Sequence, residues 1–147
     1  MAVTETKDAV ATFCDAARAS DVERMVSVLA ADAELLSPLS GRMVFRGRDD
    51  LRVLLGAVYR GLSGLIWREV IGEGSTRVAV SDAKIAGLTI TDAMVLEVDE
   101  AGLISRIRPH LRPLLPTILF TLLLGPKLVR HPGVVRRALG RHPEPAA

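Results

Sequence analysis

At 147 residues, 49% of them hydrophobic, the chain has material for one domain with a real core, and its single cysteine, Cys14, excludes an intrachain disulfide. The formal charge of +2 conceals a split: residues 1–100 hold 11 Lys and Arg against 16 Asp and Glu, whereas residues 101–147 hold 8 against 1. In that last part the basic residues are interleaved with Leu and Val, and Phe120 is the only aromatic, so nucleic acid is not an expected partner.

The start, MAVTETKDAV, is polar, carries acids early and lacks the basic and then apolar regions of a secretory signal, which predicts a cytoplasmic location. A first helix is expected from about Thr4 to Ala19, with Val10, Phe13, Cys14 and Ala17 on one stripe. Cys14 on that stripe suits packing better than nucleophilic work. Nothing has the spacing of a zinc site, and no metal or cofactor is expected. Ser20-Asp21-Val22-Glu23 has the pattern of a capping box opening a second helix, whose stripe is Val22, Met25, Val26 and Leu29.

A short apolar piece at Leu35-Leu36 precedes the turn residues Ser37-Pro38-Leu39-Ser40-Gly41. A third helix then enters at Gly47, places Asp49 and Asp50 in its first turn, and runs a stripe through Leu51, Leu54, Leu55, Val58 and Leu62. Strands are predicted over Leu65–Glu73 and Thr76–Ala86, turning at residues 72–75.

The most informative stretch is Gly87 to Pro113. Leu88, Ile90, Asp92, Met94, Leu96 and Val98 alternate with more polar residues, so a strand here has one apolar face that carries Asp92. Asp99-Glu100-Ala101-Gly102 suits a type I turn, after which Leu103 to Leu111 returns antiparallel. The order is helix, helix, short strand, helix and four antiparallel strands: an α+β domain in which helices cover one face of a curved antiparallel sheet.

The helix ending at Ala-Ser-Asp, the segment Leu29-Ala30-Ala31-Asp32-Ala33-Glu34, Phe45-Arg46-Gly47-Arg48, and Thr91 through Ile104 together resemble a SnoaL-like member of the nuclear transport factor 2 (NTF2-like) superfamily. The resemblance covers roughly residues 5–113. It implies a cone, a bent sheet around a pocket plugged by the N-terminal helices; residues 114–147, beyond the resemblance, read from their own composition as a hydrophobic and basic helical extension. Members include ketosteroid isomerase, limonene epoxide hydrolase, polyketide cyclases and proteins that only bind.

Enzymatic matches within the resemblance are incomplete. The isomerases have a tyrosine where this chain has Phe13 and an aspartate base where it has Ser37, and they share the aspartate at Asp92. Limonene epoxide hydrolase needs an arginine where Ile90 stands and a second acid where Pro109 stands. The polyketide cyclases use a lone aspartate near Asp92, the closest fit.

If Ile90, Met94, Ile107 and Pro109 line the cone with Asp92, desolvation raises the carboxyl pKa, and Asp92 becomes a candidate acid or acid/base catalyst for an apolar ligand. The competing reading is an Asp held at a strand bend without chemistry. Asp82, in phase with Val78 and Val80, is expected to form a solvated ion pair with nearby Lys84. Arg106, Arg108 and His110 are expected to face outward. Phe13, Ser37, Tyr59 and Trp67 complete the candidate ligand-binding set; Tyr59 and Trp67 fit core or interface packing as well, and Ser37 fits loop capping.

Leu114 to Leu124 is the most hydrophobic stretch, and as a helix it spans about 16 Å, roughly half of a bilayer core. It is expected to pack on the sheet, close the cone or join a dimer. The alternative is peripheral membrane docking, with Leu, Ile and Phe inserted and Lys127, Arg130, Arg136, Arg137 and Arg141 on anionic head groups. Residues 142–145 read as a disordered end. The sequence thus points to a cofactor-free isomerase, cyclase or hydrolase acting on an apolar polycyclic, polyketide or terpenoid-like small molecule. A homodimer is the expected assembly. The alternative is a non-catalytic binding or assembly module of the same fold.

Overall fold

The computed structural model describes residues 8–140, so the expected start of the first helix at Thr4, the basic Arg141 and the end at 142–145 lie outside the described residues. Helix α1 (Ala9–Arg18) opens with the Asp8 side chain accepting from the Ala11 amide at 3.3 Å. All four residues of its expected stripe are buried.

The capping box is corrected at its first residue. Ser20 is consumed in ending α1: it takes a left-handed conformation (φ 54°), and the amides of Ser20 and Asp21 bond back to the carbonyls of Ala17 and Ala16. Asp21 therefore caps α2 (Val22–Ser27), accepting from the Arg24 amide at 3.1 Å. Leu29, expected on the α2 stripe, instead opens strand β1 (Leu29–Leu36), because pairing with a distant strand overrides the helical spacing. Strand β2 (Val44–Arg46) is too short to show an alternation in sequence.

Helix α3 (Arg48–Gly61) starts after Gly47, whose φ of 88° favours glycine, and it buries Leu51, Leu54 and Leu55. Strands β3 (Ser63–Ile71), β4 (Thr76–Ile85), β5 (Leu88–Val98) and β6 (Ile104–Arg108) pair antiparallel in succession. The β5–β6 turn closes with the Gly102 amide donating to the Asp99 carbonyl at 3.0 Å, while the Asp99 side chain accepts from the Ala101 and Leu103 amides. The return strand is interrupted: Pro109 has no N–H, β6 stops at Arg108, and β7 (Leu111–Arg112) resumes pairing with β5.

Strand order is β2-β1-β6-β5-β4-β3, a curved and unclosed sheet in an α+β fold. It is antiparallel apart from β1 beside β6, which run parallel. On β4 the inward residues are Ala79, Ser81, Ala83 and Ile85; Val78, Val80 and Asp82 face outward. Asp82 is ion-paired there with Arg68 at 2.8 Å and accepts from the Thr91 hydroxyl at 2.6 Å; these neighbours, not Lys84, hold its carboxyl below the usual range.

Helix α4 (Leu114–Val129) lays Pro116, Phe120, Leu124 and Leu128 against α3 and the sheet. Helix α5 (Pro132–Ala138) is fastened by Arg137, whose guanidinium donates twice to the buried Asp50 carboxylate, at 2.9 and 2.7 Å. Arg137 thus lies at the surface, 63% exposed, with its charge already paired to Asp50, which sets it apart from the other basic residues of this segment.

Candidate functional site

Between the inner sheet face, α3 and α4 lies a cavity of about 280 Å³. Its floor is made by the inward residues of β4 and β5, among them Ser81, Ile90, Asp92 and Met94; Tyr59 closes one side from α3, and Phe120, Leu124 and Leu128 form the α4 roof. Alternation on β4 and β5 dictates the floor, since Ser81 and Asp92 are cross-strand partners and must share a face. Asp92 is the only charged side chain lining the cavity among the described residues.

The interrupted ladder fixes the carboxylate. In a regular antiparallel pair the His110 amide would donate to the Ala93 carbonyl, but here it donates to Asp92 Oδ1 at 3.0 Å. The vacated Ala93 carbonyl is met by His110 Nδ1 at 3.1 Å, and the Ala93 amide still donates to the His110 carbonyl at 3.0 Å. His110 thus serves the site through its backbone, while its ring lies exposed on the other side of the strand.

Burial pushes the Asp92 carboxyl up to about 7, and the His110 amide and its ring pull the other way. Near neutral pH the group is therefore divided between acid and carboxylate. Burial, with the Asp92 charge adding to it, raises the Tyr59 hydroxyl pKa, so Tyr59 keeps its proton and is a hydrogen-bond donor toward the cavity. Cys14 is not on the lining, and burial pushes its thiol up to about 12, which suits a packed, unreactive side chain.

Of the candidate residues, Ser37, Tyr59, Ile90, Asp92, Met94 and Pro109 come together on the cavity wall. Ser37 also caps its loop, its hydroxyl accepting from the Leu39 amide at 3.1 Å. Three positions are corrected. Phe13 and Ile107 are fully buried in the core beside the cavity, and Trp67 donates its indole N–H to the Cys14 carbonyl at 2.8 Å, pinning α1 to β3. Each has the expected inward phase but sits too deep, or behind α1.

Ser81 and the α4 roof were not among the sequence candidates. The small-residue alternation of Ala79, Ser81 and Ala83 and the i, i+4, i+8 spacing of Phe120, Leu124 and Leu128 were the available signals. Among the described residues, no group of three His, Cys, Asp or Glu side chains is placed to hold a metal ion.

No protein-family model matches the sequence, and no curated protein matches it either. Solved structures do. An uncharacterised protein with a cystatin-like fold from Silicibacter pomeroyi is 20% identical with a TM-score of 0.84, over 92% of this chain and 96% of the other. A steroid delta-isomerase from Pseudomonas aeruginosa is 17% identical with a TM-score of 0.75, over 86% and 96%. The epoxide hydrolase/cyclase-like enzyme SalBIII, of pyran ring formation in salinomycin, is 16% identical with a TM-score of 0.60, over 71% and 88%. These likenesses and the bent sheet show that the chain has a cystatin-like, NTF2-like fold.

Proposed function

We propose that the cavity binds a compact apolar small molecule and that Asp92 moves a proton on it without a cofactor, as an isomerase or cyclase does. The observation that carries this reading is a lone carboxyl group, with a pKa of about 7, among hydrophobic walls. A group titrating at the working pH can both take and return a proton. In an isomerisation, the Asp92 carboxylate would remove a proton from the carbon beside a ketone. The C–H electron pair moves into the new double bond and the carbonyl pair onto oxygen. The neutral Asp92 then returns the proton at a second carbon and the carbonyl reforms. Tyr59, on the α3 side, and Ser81, on the floor across from Asp92 in the β4–β5 pairing, bring hydroxyl donors to the cavity for the transient oxyanion. Epoxide hydrolysis with a separate acid and base draws less support, because no second charged group lines the cavity among the described residues.

The same shortage favours a second reading, a protein that binds such ligands without turning them over. The two separate in one assay: β,γ-unsaturated ketones of terpenoid and steroid size, with conjugation followed by absorbance. Turnover that drops about a hundredfold or more in Asp92→Asn supports proton transfer by Asp92. Binding without turnover in the wild type supports the second reading, and undiminished turnover in Asp92→Asn defeats the first.

A further inference from the structure

The outward half of α4 has a chemistry of its own. From residue 113 to residue 126 there is no charged side chain, and Leu115, Ile118, Leu122, Pro126 and Val129 recur at spacings of three and four on the solvent side. Leu115, Leu122 and Val129 are 65%, 67% and 73% exposed, and Leu114 and Leu123 widen the ridge. Isolated exposed leucines are ordinary, but a continuous ridge along a helix marks a binding surface. The two hydroxyls on the helix are already satisfied: Thr117 and Thr121 donate to the carbonyls of Pro113 and Thr117 at 2.7 and 2.8 Å. The ridge thus offers a partner apolar contact and no side-chain hydrogen bonds, which suits acyl chains better than a protein groove.

Charge selects the same partner. Residues 101–140 hold seven basic residues and no acid. At the C-terminal end of the ridge Arg130 is exposed, and Arg136 borders a shallow apolar depression with Val129 and Leu139. Neither makes an ion pair with the described residues. Pairing the ridge with a second copy would supply no opposing acid from these segments, whereas an anionic head group supplies one. No single described helix is long and apolar enough to cross a membrane, and α4 and α5 are bent by 116° at their junction.

We propose that α4 docks in the plane of an anionic lipid surface, its Leu, Ile and Val ridge among the acyl chains and Arg130 and Arg136 on the head groups. The inserting face lies opposite the face that roofs the cavity, so docking leaves the cavity wall in place. The test is flotation of the full chain with phosphatidylcholine vesicles, with and without phosphatidylserine. Expected is flotation with the anionic vesicles, about thirtyfold weaker binding for the Arg130→Gln, Arg136→Gln double variant, at roughly fivefold per basic residue, and loss for Ile118→Asn with Leu122→Asn. All four residues are exposed, so thermal melts of both variants should match the wild type. Wild-type chain that stays in solution with both vesicle types overturns the proposal. So does a dimer in sedimentation that Ile118→Asn with Leu122→Asn dissolves while neither vesicle recruits the wild type, since a second copy then covers the ridge.

Discussion

Replacing Asp92 by Asn should change how stability depends on pH, and the sign follows from linkage. The carboxyl titrates at about 7 in the folded chain and near 4 when unfolded, so between those values the folded state binds the extra proton. Stability is then lost as pH rises: no penalty exists below about pH 4, it grows through the window, and it is complete above about pH 7. A carboxyl raised from about 4 to about 7 costs at most about 4 kcal/mol of stability on full ionisation. Because Asp92 is half-buried and borders a cavity that solvent can enter, about half of that, ~2 kcal/mol, is the expected effect. Asn is isosteric, stays neutral, and still offers an oxygen to the His110 amide. Thermal melts of both proteins should coincide near pH 4 and separate by pH 8, with Asp92→Asn more stable by roughly 6 °C at about 3 °C per kcal/mol. Parallel profiles across the whole range would refute the claim that burial raises the pKa of this carboxyl.

Truncating the roof, Phe120→Ala, should cost about 3 kcal/mol in urea denaturation and enlarge the cavity, read as tighter uptake of a bulkier apolar dye. Arg137→Ala removes the fork on Asp50, and amide exchange across Pro132–Ala138 should accelerate while the α1 amides keep their protection. Gly72→Ala should destabilise by about 1–3 kcal/mol in the same denaturation assay, because φ is 96° and the added Cβ would stand 2.9 Å from the Thr76 carbonyl oxygen.

Alternation made β4, β5 and their partners legible, since a two-residue period survives wherever one face is buried. It also put Asp92 on the inner face and Arg106 and Arg108 on the outer one, where Glu97 pairs with both. Depth was not legible: Ile107 and Ile90 have the same inward phase, yet one lies in solid core and the other on an empty space, a difference set by what α1 and α3 place above them. On β4 the apolar run of Val78 and Val80 drew attention to the wrong face, because the true inner face is built of small residues that leave room for a cavity. The exchange of partners around Pro109 was equally hidden, since a missing N–H signals a broken ladder but not which acceptor the next amide will find. Asp50 read as a helix-dipole residue until α5 supplied Arg137 from 87 positions away.

Proton transfer in the cavity depends on the protonation of Asp92 among apolar walls, and a carbon-detected NMR titration of its carboxyl group measures that directly. The structure calls for a midpoint at about 7, well above the ordinary carboxylate range. A midpoint near 4 would mean the group is solvated and ionised at neutral pH, and the proton-transfer chemistry assigned to it would fail.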